Sequence, residues 1–127
     1  MKNSIIITIL LCSVWCYAQD TDCSKFRTGQ FRYLDKDYKD LMTIRTDSTQ
    51  IDSYPAPMNF QGTSRVKWLS DCSYEFEYYK FNDPKYESLL GTKYTIKIVE
   101  IKGDTIVCQK VVNGQLTQRQ EMIKIKD

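Results

Sequence analysis

The chain has 127 residues, with 18 Lys and Arg against 16 Asp and Glu, and it contains no His. This length fits at most one modest globular domain. The near-balance of charge provides no strong field to attract nucleic acid, so we expect no nucleic-acid partner. Because His is absent, the sequence excludes His-based catalytic triads and His-ligated metal sites.

The first 18 residues have the three-part pattern of a secretory signal peptide. Lys2 supplies a positive charge, an apolar run follows at 5–11, and small or compact residues lead to Ala18. We therefore predict cleavage after Ala18 and export of a single β domain, 19–127, to the periplasm or the extracellular space. No segment approaches the roughly 20 apolar residues of a membrane helix, so we expect no membrane span in the mature chain.

A lipoprotein signal is the alternative interpretation of this segment, since Cys12 and Cys16 lie in the right region. The residues before them, Leu11 and Trp15, are large where such a signal has a small residue. We therefore favour a plain signal peptide.

The mature chain has the composition and the turn signals of an all-β protein. Short segments of alternating polarity are rich in Tyr, Ile, Thr and Val, and turn-forming pairs such as Asn113–Gly114 separate them. We predict strands over 28–34, 41–45 and 50–54, a hairpin over 63–80, and a meander over 92–101, 105–112 and 115–125. Basic residues that alternate with apolar ones are interpreted as solvent-facing: Arg65, Lys67, Lys97, Lys102, Lys110 and Lys124.

One short helix is expected near 84–90. Asp83 provides an N-cap, Pro84 suits the first helical position, and Gly91 follows the end. The predicted fold is therefore about eight antiparallel strands with this one helix, arranged as an up-and-down barrel or a strongly coiled sheet of the lipocalin or calycin type. Closure into a barrel is favoured because it removes exposed strand edges.

Three cysteines lie outside the signal peptide: Cys23, Cys72 and Cys108. In an oxidising compartment they permit one disulfide. We favour Cys23–Cys72, which would tie the N-terminal segment to a hairpin turn, while Cys23–Cys108 and Cys72–Cys108 stay open as alternatives. Cys108 lies mid-strand, where a small buried apolar side chain is expected, and nothing in the sequence lowers its pKa for catalysis.

Two motifs carry a resemblance to known proteins. The spacing C-x-x-F-x-x-G-x-F at 23–31 and the segment W-L-S-D-C-x-Y at 68–74 resemble a group of small exported proteins from flavobacteria-like bacteria. Some of those proteins carry the name DNA topoisomerase IV, which does not fit a chain without an ATP-binding glycine loop or a basic surface. The resemblance implies export and one β domain, and it assigns no activity. The first motif is also similar to the opening strand of lipocalin-type barrels.

A stripe of large apolar residues lies on the predicted inner face, where core packing is the simpler interpretation. Under the ligand-binding hypothesis the same stripe supplies the candidate site: Trp68, Tyr74, Phe76, Tyr78 and Ile96. Acidic pairs such as Glu75 and Glu77 fall on the opposite, polar face, where they are simply solvated. We find no candidate catalytic residue, metal site or cofactor motif.

The leading functional hypothesis is a non-enzymatic exported binding protein for a small apolar or amphipathic ligand. The alternative is a structural or protein-interaction module of the cell envelope, with an envelope protein as its partner.

Overall fold

The computed structural model describes residues 22–127, so the predicted signal peptide at 1–18 lies outside the described residues. Eight strands form one closed antiparallel barrel in sequence order, as predicted. The strands are β1 (Gly29–Tyr33), β2 (Met42–Arg45), β3 (Thr49–Tyr54), β4 (Phe60–Ser70), β5 (Ser73–Phe81), β6 (Lys93–Lys102), β7 (Thr105–Val112) and β8 (Gln115–Lys126).

The barrel closes because β1 pairs with both β2 and β8. The closure leaves no unpaired edge among the eight strands, which removes the usual template for aggregation. Register shifts interrupt the β4–β5, β6–β7, β7–β8 and β1–β8 pairings. Such bulges increase the local bending that a small barrel requires.

The predicted helix is a 3₁₀ helix at Pro84–Leu89, and the Asp83 side chain caps it by accepting a hydrogen bond from the Lys85 backbone N–H. Two further 3₁₀ turns, Ser24–Phe26 and Lys36–Tyr38, add to the single helix expected from sequence. None of the helical segments within 22–127 has the length and apolar character needed to cross a bilayer.

The N-terminal 3₁₀ turn closes one end of the barrel. Phe26 is 1% exposed, and the neighbouring Cys23 forms the predicted disulfide with Cys72, with the two Cα atoms 5.3 Å apart. We call this the closed end. The compact apolar core lies there and comprises Cys23, Phe26, Phe31, Ile98, Ile106, Cys108 and Met122. Cys108 is a buried free thiol, as expected.

The opposite end carries the β1–β2, β3–β4, β5–β6 and β7–β8 connections, and we call it the mouth. Asn113 and Gly114 form its tightest turn, and both have positive φ, 51° and 77°. This geometry is the one that an Asn–Gly hairpin predicts.

Lys124 corrects the expectation that the alternating basic residues all face solvent. Its side chain is only 9% exposed, and its amine donates to the Lys25 backbone oxygen at 2.6 Å and pairs with Asp127 at 3.0 Å. Because Lys124 pairs in register with the buried Phe31, it lies on the inner side of β8 at the closed end.

Candidate functional site

The five residues predicted to line a ligand site lie on one continuous stretch of the barrel's inner face. Trp68 on β4 pairs with Tyr74 on β5, and Tyr74 pairs in turn with Ile96 on β6. Phe76 and Tyr78 follow Tyr74 at intervals of two residues, so they face the same way. Tyr74 is buried and the other four are half-buried.

The structure divides these residues between two levels of the barrel. Trp68 and Tyr74 pack at the closed end, with ring centroids 4.8 Å apart, and the Arg27 guanidinium lies 4.8 Å from the centre of the Trp68 ring. Phe76 and Tyr78 lie further along β5, toward the mouth. The predicted stripe is thus part core packing and part lining of an open end.

Between these levels lies a buried polar group that the sequence did not reveal, which we call the interior polar ladder: Thr43, Arg45, Gln50 and Asp52. Arg45 is 2% exposed, and its guanidinium donates to the Gln50 Oε1, to the Phe26 backbone oxygen and to the Tyr74 hydroxyl at 2.9–3.0 Å. Its Cζ also lies 4.8 Å from the centre of the Phe31 ring and 4.4 Å from that of Tyr74. Burial of this charge is therefore offset by hydrogen bonds and ring contacts.

Asp52 is the acidic member of the ladder. Its carboxylate accepts hydrogen bonds from the Thr43 hydroxyl at 2.6 Å and from the Tyr78 hydroxyl at 3.0 Å. Gln50 donates to both carboxylate oxygens while accepting from Arg45, so this amide links the two buried charges. The ladder forms a polar floor beneath the mouth.

The alternation along β2 and β3 shows why sequence reasoning missed the ladder. The apolar residues Ile44 and Ile51 pair with each other on the outer face, while their polar neighbours face inward. A strand pattern is normally read with its apolar side toward the core, and here that rule gives the wrong face. The available signal was Gln and Asp at alternate positions of β3, a pattern equally typical of a solvent-facing strand side.

Burial sets the protonation of the interior groups. It raises the pKa of the Asp52 carboxyl, although hydrogen bonds from Thr43, Gln50 and Tyr78 and the charge of Arg45 oppose the shift. Burial, with the neighbouring Asp52 carboxyl, also raises the pKa of the Tyr78 hydroxyl well above its ordinary range. The pKa of the Cys108 thiol rises to about 12, again through burial. The phenol and the thiol are therefore neutral near pH 7.

The mouth is lined by aromatic rings that solvent still reaches. Phe76 stacks on Tyr94 at a centroid distance of 5.0 Å, and Tyr78 lies 5.0 Å from Phe81. Phe76, Tyr78 and Tyr94 are only half-buried although they face inward. Solvent therefore reaches the inner face of the barrel at this end.

Gly62 on β4 makes room for this aromatic lining. A Cβ at this position would lie 2.8 Å from the Tyr78 ring, 2.9 Å from Phe81 and 3.0 Å from Phe60. On one side of the mouth, Tyr86 of the 3₁₀ helix covers Phe60, with ring centroids 4.8 Å apart.

Lys110 is a second correction to the expected solvent-facing lysines. It pairs directly with Ile96, so the two side chains share the inner face of the barrel. Lys110 is half-buried, and its Nζ lies 4.7 Å from the centre of the Tyr94 ring. Its spacing of two from Cys108 was the sequence signal for this placement.

Ser64 is fully buried, and its Oγ has no hydrogen-bond partner among residues 22–127. It pairs in register with Gln50 on one side and with Tyr78 on the other. An unsatisfied buried hydroxyl costs about 1–3 kcal/mol. Ser64 thus leaves one hydrogen-bonding position open beside the polar ladder.

A separate cleft of about 420 Å³ lies on the outer wall near the mouth. Its floor crosses four strands, since Arg32, Met42, Ser53 and Gln61 are successive paired neighbours from β1 to β4. Asn82 forms part of its wall and accepts a hydrogen bond from the Gln61 backbone N–H. Within 22–127, no three His, Cys, Asp or Glu side chains come together as a possible metal site.

No protein-family model matches the chain, and no curated protein is significantly similar to it.

Proposed function

We propose that this protein is an exported, non-enzymatic binding protein that holds a small amphipathic molecule in the mouth of its barrel. The single observation that carries the proposal is that Phe76, Tyr78 and Tyr94 face inward yet remain solvent-accessible. Concave sites lined by aromatic rings with a few convergent polar groups are typical of small-molecule binding.

The polarity of the interior favours an amphipathic ligand over a purely apolar one. The aromatic rings above the polar ladder offer apolar contact, while the Tyr78 hydroxyl and the ladder itself add polar groups nearby. An amphipathic ligand can bury an apolar body against the rings and keep its polar group toward the solvent-facing mouth.

The protonation of the interior groups supports binding without catalysis. The Cys108 thiol, with its pKa raised to about 12, carries little thiolate near neutral pH, and thiolate is the reactive form. The interior carboxylate of Asp52 is held by the Thr43 and Tyr78 hydroxyls and by Gln50. The Cys108 thiol and the Asp52 carboxylate therefore serve the packing and hydrogen bonding of the barrel interior.

Export to the periplasm or the extracellular space is supported by the disulfide Cys23–Cys72 together with the signal-like pattern at 1–18. Disulfides persist in oxidising compartments and are rare in the bacterial cytosol.

The test has two parts. Native mass spectrometry of the non-reduced protein purified from its producing cells should show an adduct that is lost on denaturation. Calorimetric titration with naphthylmethanol, a compact ring with one hydroxyl, should show binding that Tyr94→Ala weakens. Tyr79→Ala is the matched control, because Tyr79 is exposed and lies beside Arg65 on the outer wall. Absence of both an adduct and naphthylmethanol binding, or equal weakening by the two variants, would refute the proposal.

A different observation supports the alternative function, an interaction module of the cell envelope. Exposed apolar side chains occur on or beside all four connections at the mouth end: Leu34, Met58, Leu90 and Leu116. Affinity purification from envelope extracts with the wild type and with Met58→Ser/Leu90→Ser should recover a partner with the wild type alone if this alternative holds.

A further inference from the structure

The inner wall of the mouth carries a cation that the protein itself does not neutralise. Lys110 shares the inner face with Ile96, and its Nζ lies 4.7 Å from the centre of the Tyr94 ring. No carboxylate within 22–127 lies within ion-pair distance of it, whereas Lys124, also on the inner side, is paired with Asp127. The carboxylate of the polar ladder, on Asp52, is already engaged by three side chains.

We propose that Lys110 selects the ligand, and that the molecule held in the mouth is a compact amphipathic anion with a ring-containing apolar body and one carboxylate or similar acidic group. This inference rests on the binding function proposed above. The apolar body packs against the Phe76–Tyr94 pair, and the acidic group meets the Lys110 ammonium, which lies over the Tyr94 ring.

The position and charge of Lys110 decide whether an anionic, a neutral or a cationic ligand binds most tightly. Lys110 is half-buried and its ammonium lies against the Tyr94 ring, so an anionic group of the ligand can form a charge-assisted hydrogen bond with it. A cationic ligand would be repelled, and a neutral one would gain ring contacts alone. The contact between Nζ and the Tyr94 ring restrains the Lys110 side chain, which lowers the cost of ordering it on binding.

The experiment compares three probes with the same ring system: naphthoate, naphthylmethanol and naphthylmethylammonium. Calorimetry on the wild type should give the tightest binding for naphthoate, by roughly tenfold over the neutral probe, a factor equal to about 1.4 kcal/mol. Lys110→Gln should abolish this preference while leaving naphthylmethanol binding within about twofold, and Lys110→Glu should reverse it in favour of the cationic probe.

Lys97→Gln is the matched control, because Lys97 is an exposed lysine on the adjacent strand. It should keep the full preference for naphthoate. Near-ultraviolet circular dichroism checks that each variant retains its packing. Raising the salt from about 0.01 M to about 1 M should reduce the preference in the wild type, since the Debye length falls from about 30 Å to about 3 Å.

Equal affinity of the wild type for naphthoate and naphthylmethanol would overturn the role of Lys110, as would a preference that survives in Lys110→Gln. These outcomes leave the binding function intact, because the neutral probe still binds. If none of the three probes binds the wild type, the proposed binding function fails, and the selectivity fails with it.

Discussion

Replacing Arg45 by Met perturbs the interior more than any other single change that we consider. The substitution keeps an unbranched side chain of similar length and removes the charge and three hydrogen bonds. The Gln50 Oε1, the Phe26 backbone oxygen and the Tyr74 hydroxyl each lose their donor. The buried Asp52 carboxyl also loses the positive charge that opposes the rise in its pKa.

The size of the effect follows from these losses. A buried acceptor left without a donor costs about 1–3 kcal/mol, and breaking a buried charge network by removing one partner typically costs about 3–5 kcal/mol. The substitution also removes the free-energy cost of taking the guanidinium out of water, which offsets part of the destabilisation. We therefore expect a loss of about 4 kcal/mol in the free energy of unfolding. The whole free energy of unfolding of a typical domain is about 5–15 kcal/mol, so this loss is a large fraction of it. It corresponds to a fall in Tm of about 20 °C.

Urea denaturation followed by fluorescence measures this loss, since Trp68 lies 5.9 Å from the Arg45 Cζ and reports on its surroundings. Arg32→Met is the control, because Arg32 is exposed on the outer wall, and we expect a change of about 0.5 kcal/mol or less. The double variant Arg45→Met/Asp52→Asn should lose about 1 kcal/mol less than the sum of the single variants, since Gln50 couples the two charges. A loss of under about 1 kcal/mol for Arg45→Met would refute the view that the ladder supports the fold.

Two further predictions concern the pH dependence and the disulfide. Burial raises the pKa of the Asp52 carboxyl in the folded state, so binding of a proton to this carboxyl stabilises the folded protein. This stabilisation is complete below the ordinary carboxyl pKa of about 4 and is lost as the pH rises through the folded-state pKa. The free energy of unfolding of the wild type should therefore fall relative to Asp52→Asn as pH rises from about 4 to about 8, and parallel urea-denaturation curves for the two proteins would contradict this. The double variant Cys23→Ala/Cys72→Ala releases a cross-link of 49 residues, for which the chain-entropy model gives a loss of about 4 kcal/mol. Calorimetry should show the corresponding fall in Tm, while Cys108→Ala should leave the cross-link intact, and an unchanged Tm in the double variant would count against the assigned bridge.

Local patterns were enough to predict the strands and their order. Alternation along β5 placed Tyr74, Phe76 and Tyr78 on one face, and the Asn113–Gly114 turn fixed the last hairpin. Short connections then joined neighbours into an up-and-down barrel. Each of these features depends on residues close together in the chain, which is why the sequence displays them.

The candidate site was only partly visible. All five predicted residues share the inner face, but Phe76 and Tyr78 lie toward the mouth while Trp68 and Tyr74 pack into the closed end. Lys110 was assigned to solvent because a charged residue in an alternating strand normally faces water. Its pairing with Ile96 places it inside instead.

The sequence by itself determined the strand pattern, the disulfide-compatible cysteines and the inner aromatic stripe of β5, because a period of two and turn chemistry are local properties. Only the tertiary structure decided the orientation of β2 and β3 and the polar interior. Arg45 can be buried because Gln50, Phe26 and Tyr74 supply its partners, and these lie 5, 19 and 29 residues away along the chain. No local pattern encodes that assembly, since the stabilisation of the charge exists only after the barrel has closed.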